Sequence, residues 1–336
     1  MFRSFLAAAT VLVGAAVLLV AAWPQLFGLA QAPVIAQIVS LRGSAVAVAL
    51  IGVVALTLLA LISFGARRFG ATLAVLLLVF CGISAAVLST RGFGNPGFES
   101  ASGRDVTVLS WNTFGGAPGA GAIAKLALDN GAKIVTLPET TNETGLAIAQ
   151  IMNAAGSPTW VYTVAYDQVS KSRSTTLLVS TSLGEYNVNS AATTTSVLPT
   201  IVATPANGTG PTIIAVHAVA PIPGEMTNWR SDLRYLAATC VGDNVIMAGD
   251  FNSTLDHYSG LGIGSATIGG CSDAALATNN AAVGTWPAAL PALLGAPIDH
   301  VMTTPNWHVT GMRVIQSEDG AGSDHRPILV QLSPVR

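Results

Sequence analysis

The sequence predicts an α/β (α+β) fold, a four-layer sandwich of two mixed β-sheets flanked by helices, preceded by three transmembrane helices. Three long apolar runs without charge stand near the N-terminus, and short β-branched and aliphatic runs alternate with helical stretches after position 105. Only 10% of the residues are charged and 51% are hydrophobic, which is not typical of a single soluble domain. These observations divide the chain into two regions.

The three apolar runs have the length and composition of membrane-spanning helices. They cover residues 5–23, 45–64 and 70–89, and about 20 apolar residues cross a hydrocarbon core as a helix. A cleavable signal peptide is the alternative for the first run, but Trp23-Pro24-Gln25 follows it and two more runs come after it. Residues 1–91 are therefore interpreted as an uncleaved membrane anchor.

Charge is unequally divided between the two regions. The anchor carries five arginines and no acid, whereas the remainder carries 15 − 5 = 10 basic residues against 17 acidic ones, about −7. Arg3 and the pair Arg67-Arg68 fall on one side of the predicted membrane, and Arg42 and Arg91 on the other. The positive-inside rule then predicts a multi-pass protein of the cell membrane, with a cytoplasmic N-terminus and an extracytoplasmic C-terminal domain.

Two of the cysteines lie in the region predicted to be external. An oxidising compartment would allow Cys240 and Cys271 to form a disulfide, and two buried free thiols are the alternative. Cys81 lies within the third apolar run, where it is expected to pack as a small apolar group.

A linker and a domain are predicted after the anchor. Residues 92–104 are rich in Gly, Ser, Asn and Pro and have no apolar period, which is typical of a linker before a domain at 105–336. Strands are predicted at 106–110, 134–137, 175–180, 200–204, 212–217, 245–248, 298–303 and 328–332. Helices with one apolar face are predicted at 121–129, 144–155 and 227–239. Several strands are apolar throughout and others lie close enough to pair directly, which favours two packed mixed sheets.

Polar residues recur where the predicted strands end, so that a sheet can project them into one cleft. They are Asn112, Glu139, His217, Asp250, Asn252, Asp299, Asp324 and His325. Each alone is weak, because a GDFN turn or an Asp-His pair is often structural.

Together these residues supply what phosphoester hydrolysis needs. Hard oxygen ligands such as Glu139 hold Mg²⁺ or Mn²⁺ at a phosphate. A carboxylate such as Asp250, fixed by Asn252, can orient and deprotonate a water. An imidazole such as His325, oriented by Asp299, can hydrogen-bond the phosphoryl oxygen and favour the pentacovalent state.

The motifs LSWNT, LPET, AVH, GDFN, IDHV and SDHRP, in this order, resemble the endonuclease/exonuclease/phosphatase superfamily across the whole predicted domain. The resemblance implies an Mg²⁺- or Mn²⁺-dependent phosphoesterase with metal-site residues Asn112, Glu139 and Asp324 and catalytic residues His217, Asp250, Asn252, Asp299 and His325. The chain departs from the family pattern at Pro138, where Gln often precedes the metal-binding Glu, and at Phe114, where many nucleases carry Asp.

Three spans before such a domain also resemble the VanJ-type branch, membrane proteins of actinobacteria linked to glycopeptide resistance. The supporting motifs are NSTLDH at 252–257, GCSDAA at 270–275, TWP at 285–287 and the IDH that contains Asp299.

Several further residues are candidates beside the main constellation. Arg326 and Arg173 are expected to bind a substrate phosphate, although Arg326 has the alternative of pairing with a structural carboxylate. Asp256 and His257 follow GDFN closely enough to line the cleft, and the start of a helix is the alternative. His300 is expected to be structural, because neighbouring residues of a strand face opposite sides of a sheet.

Charge and tethering bear on the substrate. A domain at about −7 with three lysines lacks the basic surface of a non-specific nuclease. A tethered domain also meets lipid head groups at high effective concentration. The sequence therefore favours a phosphorylated, lipid-linked or cell-envelope substrate over nucleic acid. An extracytoplasmic nuclease is the first alternative, and a catalytically silent envelope-binding module is the second.

Overall fold

The computed structural model describes residues 2–95, 97–167, 169–189 and 194–335, with side chains from residue 5 onward. Its N-terminal part contains helices α1 (Phe2–Ala22), α2 (Ile35–Ser40), α3 (Arg42–Ile62) and α4 (Arg67–Arg91). Helices α1, α3 and α4 are long and apolar enough to span a membrane. A tight turn joins α3 to α4. Helix α4 packs against both α1 and α3. The three predicted long helices are therefore present, each within a few residues of its predicted bounds.

The remainder of the described chain forms two six-stranded sheets. The strands are β1 (Val106–Ser110), β2 (Ile134–Pro138), β3 (Thr159–Ala165), β4 (Ser174–Ser180), β5 (Tyr186–Val188), β6 (Ile201–Pro205), β7 (Thr212–His217), β8 (Val245–Asp250), β9 (Ser272–Asp273), β10 (Asp299–Thr303), β11 (Trp307–Val314) and β12 (Ile328–Pro334). The strand orders are β11-β12-β1-β2-β4-β3 and β5-β6-β7-β8-β10-β9. Both sheets are mixed, since β1 and β2 run parallel, as do β7 and β8, while the other pairs are antiparallel.

Helices cover the outer faces of the two sheets. They are α5 (Gly119–Asp129), α6 (Asn142–Ala154) and α7 (Met226–Thr239). The short α8 (Ala274–Ala277) instead contributes Ala274 and Ala275 to the core between the sheets. The inner faces share one apolar core, in which Val108 and Leu177 of the first sheet meet Ile213 and Val301 of the second. Helices α5 and α6 pack on the first sheet and α7 on the second. The predicted sandwich of two mixed sheets flanked by helices is confirmed.

Four strands, β3, β5, β9 and β11, have no counterpart in the sequence prediction. Short length or an irregular register explains three of them. Strands β5 and β9 have only three and two residues, too few to show a period. Strand β11 contains an irregularity in its register between Val309 and Gly311, which breaks the alternation of apolar and polar residues.

The segment between α1 and α3 is docked on the sheets. Gln25 donates to a carboxylate oxygen of Asp256 (2.8 Å), Gln31 donates to a main-chain carbonyl of the same loop (2.8 Å), and Gln37 donates to the main-chain carbonyl of Pro221. Ala36 of α2 is fully buried in the core under α7. This packing explains how a helix of only six residues is stable.

An ion cluster of three residues joins the same regions. Arg91, at the end of α4, binds Asp256 through two contacts of 2.8 and 2.9 Å, and Arg42, at the start of α3, binds it at 2.8 Å. Asp256 and Arg42 are 1% and 4% exposed. Burial would raise the pKa of Asp256, but the two guanidinium groups hold it well below its usual range.

The predicted linker follows the surface of the sheets. The main-chain N–H of Gly94 donates to Asn279 (3.0 Å), and that of Glu99 donates to Thr310 (2.8 Å). Further along the chain, Cys240 and Cys271 are joined in a disulfide that ties the end of α7 to the segment before β9.

Candidate active site

The polar residues selected from the sequence converge at one edge of the two sheets. Strands β1, β2, β7 and β8 run toward this edge, where Asn112, Glu139, His217 and Asp250 stand at or just beyond their ends. Strand β10 starts there with Asp299, which pairs in register with Asp250. Because the sheets face each other, side chains from both reach a common cleft of about 520 Å³.

Asp250 lies at the centre of this cleft and is 1% exposed. Its carboxylate accepts hydrogen bonds from the main-chain N–H of Asn252 (2.8 Å), the Asn252 amide (3.1 Å) and the Asn112 amide (3.0 Å). Burial raises the pKa of Asp250, although the charge of His325 opposes the shift. A raised pKa suits a general base that must accept a proton near neutral pH.

His325 and Asp299 form a buried dyad beside Asp250. Nδ1 of His325 lies 2.9 Å from Asp299, and Nε2 lies 3.8 Å from Asp250. Burial alone would lower the pKa of His325, but Asp299 and Asp250 raise it to about 10. The two carboxylates therefore favour the protonated ring, whose Nδ1 lies against Asp299 and whose Nε2 lies on the Asp250 side.

His217 is fully buried and lines the cleft from the second sheet. Its Nδ1 lies 3.2 Å from the hydroxyl of Thr175, and burial lowers its pKa to about 3. Nε2 has no hydrogen-bond partner in the described part of the chain. When Thr175 donates to Nδ1, this neutral ring presents Nε2–H as a donor.

Glu139 and Asn112 form the opposite side of the site. The Asn112 amide donates to Glu139 (3.3 Å), and its oxygen accepts from the main-chain N–H of Phe114 (3.0 Å). Asn112 therefore donates to both carboxylates, while its amide oxygen accepts from the main chain. Burial raises the pKa of Glu139.

Backbone strain is concentrated around this cleft. Glu139, Asn252 and Phe114 adopt φ values of 58°, 46° and 49°, in the left-handed region that side chains with a Cβ rarely occupy. Such residues persist only where surrounding contacts hold them, and they are common at sites that orient functional groups.

Asp324 lies behind the dyad. One of its oxygens accepts from the indole N–H of Trp286 (2.9 Å), and the other is buried without a partner among the described residues. In the same described region, Asp250, Asp299 and His325 have ligand atoms that all lie within 4.8 Å of one another. The site is thus rich in hard oxygen donors.

Comparison with known proteins assigns this architecture. The model of the Endonuclease/Exonuclease/phosphatase family matches residues 109–325, more than half of the chain. The chain belongs to this family. Members of the family hydrolyse phosphoester bonds and are typically dependent on divalent metal ions. No curated protein matches the chain.

Solved structures of the family share the fold. An endonuclease/exonuclease/phosphatase from Beutenbergia cavernae superposes with a TM-score of 0.52 at 17% identity, covering 69% of this chain and 72% of its own. A homologue from Bacteroides vulgatus gives 0.50 at 17% identity, covering 68% and 99%. D. rerio TDP2 with a single-strand DNA product gives 0.51 at 16% identity, covering 68% and 99%.

Two basic residues chosen as phosphate ligands for this family domain lie elsewhere. Arg326 is 1% exposed and binds Asp319 twice at 2.7 Å, together with main-chain carbonyls, so it is structural and cannot reach the cleft. Arg173 pairs with Asp167 (3.1 Å) beside the ring of Tyr166 and does not line the cleft. Arg326 therefore has the role given as its alternative, the pairing with a structural carboxylate.

The histidines and the acid outside the family constellation also have structural partners. Asp256 and His257 belong to the 3-10 helix Leu255–Tyr258 and contact the N-terminal helices at Arg42 and Ala36. They are therefore the start of a helix, the alternative given above, and do not line the cleft. His300 is buried between Asp273 (2.7 Å) and the main-chain carbonyl of Ser253 (2.9 Å). Its side chain therefore points away from the cleft, as alternation along a strand predicts.

The cleft has lining residues that the sequence analysis did not select. Gln37, Ser40 and Leu41, from the segment between α1 and α3, form part of its wall, and Trp286 lines it as well. Nothing in the sequence of a six-residue helix indicates which surface it contacts.

Proposed function

We propose that this protein is a membrane-anchored, metal-dependent phosphoesterase that hydrolyses a lipid-linked or cell-envelope phosphodiester, phosphomonoester or pyrophosphate at the outer face of the membrane. One observation carries the proposal. A carboxylate, Asp250, is fixed by two amides between a neutral histidine and a charged His325–Asp299 dyad, at the bottom of an open cleft.

Each group has a role in attack by water on phosphorus. Asp250, held in place by Asn252, orients the water and accepts its proton. The Nε2–H of His217 binds a phosphate oxygen. His325, aligned by Asp299, donates to the phosphoryl oxygen that gains charge in the transition state.

The residues fit a divalent cation. Glu139 and Asp250 are carboxylates whose pKa burial raises, and one oxygen of each of Asp299 and Asp324 has no partner within the described ranges. Carboxylate oxygens are the ligands that Mg²⁺ and Mn²⁺ prefer. We assign Glu139 and Asp324 to hold the ion, with Asn112 orienting Glu139. When bound, the ion offsets the charge of the phosphate.

The anchor supports the proposed orientation. Arg42 and Arg91 are engaged by Asp256, so they are structural cations on the same side as the catalytic domain. Arg67 and Arg68, at the other end of α3 and α4, are exposed and form no ion pair with any residue that the structure describes. Under the positive-inside rule this favours a cytoplasmic α3–α4 turn and an extracytoplasmic domain. Protease added to intact cells should then remove the domain, and survival of the full-length protein would reverse the orientation.

The same arrangement of three helices and a family domain supports a narrower proposal, membership of the VanJ-type branch. An extracytoplasmic nuclease is the second candidate function, because TDP2, with a similar fold, is described in complex with a single-strand DNA product. The net charge of about −7 after the anchor argues against it, since non-specific DNA affinity comes mainly from Lys and Arg. A silent binding module is the least favoured candidate, because the polar constellation is complete.

The proposal is tested with the full chain in lipid nanodiscs. Polyprenyl pyrophosphate, sphingomyelin, inositol phosphates and single-stranded DNA are each supplied with Mg²⁺, Mn²⁺ or a chelator. We expect metal-dependent release of phosphate or head group, reduced about 10²–10⁴-fold in Asp250→Asn and unchanged in the exposed control Asp129→Asn. Cleavage of DNA alone would support the nuclease, and no hydrolysis of any substrate would contradict an enzymatic function.

A further inference from the structure

The cleft is built from two parts of the chain. The catalytic domain supplies its floor, and the segment just before α3 supplies one wall through Gln37, Ser40 and Leu41. This wall is held firmly, because Gln37 donates to the carbonyl of Pro221 and the neighbouring Ala36 is fully buried. The anchor is thus part of the cleft itself.

The cleft has a polar end, which we call the polar pole, and an apolar wall. The polar pole consists of the catalytic carboxylates and histidines described above. The apolar wall consists of Leu41, Leu198, Val219, Pro221, Ile222 and Ile298. It extends to solvent at Ile222, whose side chain is 52% exposed. A substrate that consisted only of a hydrophilic phosphoester would leave this apolar wall exposed to water.

The apolar wall lies where the chain enters the membrane-length helices. Leu41 immediately precedes Arg42, the first residue of α3. Beside that first turn, the hydroxyl of Ser44 donates to the carbonyl of Leu294 (2.7 Å), and the adjacent Leu293 is 47% exposed. The apolar wall therefore reaches the start of α3 at Leu41.

We propose that the apolar wall binds the hydrocarbon chain of a membrane lipid whose phosphoester lies at the polar pole. The anchor then supplies substrate-binding residues in addition to attachment, with Leu41 and Ile222 setting specificity for the chain. This inference rests on the phosphoesterase activity proposed above. A volume of about 520 Å³ is within the range of roughly 300–1,000 Å³ typical of small-molecule sites and accommodates a head group with the first part of a chain.

The test compares two chromogenic diesters, ethyl and octyl p-nitrophenyl phosphate, with the full chain in nanodiscs. Water attacks phosphorus, the P–O bond to the aryl group breaks, and p-nitrophenol leaves with an alkyl phosphate. The readout is the octyl-to-ethyl ratio of kcat/KM. Partition into the disc is the same for every variant, so a change in this ratio between variants reports the cleft.

We expect Leu41→Asn and Ile222→Asn to lower this ratio about 4- to 15-fold, the loss of contact with one or two methylenes. The control Leu146→Asn, at an exposed leucine on α6, should leave both the ratio and the activity on the ethyl ester unchanged. If Leu41→Asn fails to fold, its activity on the ethyl ester will be lost as well. The octyl-to-ethyl ratio of the variant Ile222→Asn, at an exposed residue, then tests the inference.

Two other results would overturn the inference in different ways. A ratio that Ile222→Asn leaves at the wild-type value would show that the wall does not contact the chain, while the phosphoesterase would stand. Absence of hydrolysis of both esters by the wild type, with Mg²⁺ and with Mn²⁺, together with no hydrolysis of the four substrates tested for the proposed function, would remove that function and the inference with it.

Discussion

The ion cluster of Asp256, Arg42 and Arg91 makes a sharp prediction about how the anchor and the catalytic domain are joined. Asp256→Asn keeps the size of the side chain but removes the only carboxylate that contacts these two arginines in the described structure. Two guanidinium groups, 4% and 11% exposed, would then remain buried without a counter-charge. The variant isolates the charge because the packing volume hardly changes.

The magnitude follows from the burial of the cluster. Removal of one partner of a buried ion pair typically costs about 3–5 kcal/mol, because the remaining charge stays desolvated. At about 2–4 °C per kcal/mol for a domain of this size, the Tm should fall by roughly 6–20 °C. Asp129→Asn is the matched control, since its pair with Lys125 is exposed and should leave the Tm unchanged.

The assay is thermal unfolding of the full chain in nanodiscs, followed by tryptophan fluorescence. The arginines hold the pKa of Asp256 below its ordinary value, so the stabilisation is fully present above about pH 4 and is lost as pH falls through the lowered pKa. The wild type and Asp256→Asn should therefore differ by a constant amount from pH 5 to pH 8. Equal Tm values for Asp256→Asn and Asp129→Asn at pH 7 would refute the reasoning.

Three further predictions concern other parts of the molecule. A Cβ at Gly43 would lie 1.9 Å from a main-chain carbonyl oxygen of the domain, so Gly43→Ala should lower the Tm, whereas Gly14→Ala, with no atom within 4 Å, should not. Reduction of the Cys240–Cys271 disulfide, which closes a loop with a sequence separation of 31, should destabilise the domain by about 3–4 kcal/mol; an unchanged urea midpoint after reduction would contradict this. Asp299→Asn should lower kcat about 10²–10⁴-fold with little change in KM, and a loss confined to KM would exclude the role in orienting the imidazole.

The polar constellation could be selected from the sequence because its positions follow from strand geometry. Asn112, Glu139, His217 and Asp250 each stand where an apolar strand ends, and the strands of both sheets end at one edge. The pattern of apolar residues along the sequence locates the ends of these strands well. It also predicted that His300, next to Asp299, would face the other way, as alternation along β10 requires.

Contacts that depend on packing could not be selected in this way. Arg326 stands next to His325, yet it turns from the cleft to Asp319, because neighbouring residues before a strand diverge in direction. The sequence did not predict that Gln25, Gln31 and Gln37 bind the domain, because glutamine has no preferred partner that composition can reveal. Their partners are 184 to 231 residues away in sequence, and only the fold brings such positions together.

The loop after β8 links the anchor to the chemistry. Asn252, which fixes Asp250, lies four residues before Asp256, which binds the arginines of α3 and α4. Between them, the main-chain N–H of Thr254 donates to the ring of His257 (2.8 Å), and the other nitrogen of that ring lies 3.1 Å from the carbonyl of Ala36 in α2. The position of Asn252 is therefore set partly by contacts with the anchor. A domain cut from its anchor would lose those contacts and one wall of the cleft, so its activity would differ from that of the full chain even on a substrate without a hydrocarbon chain.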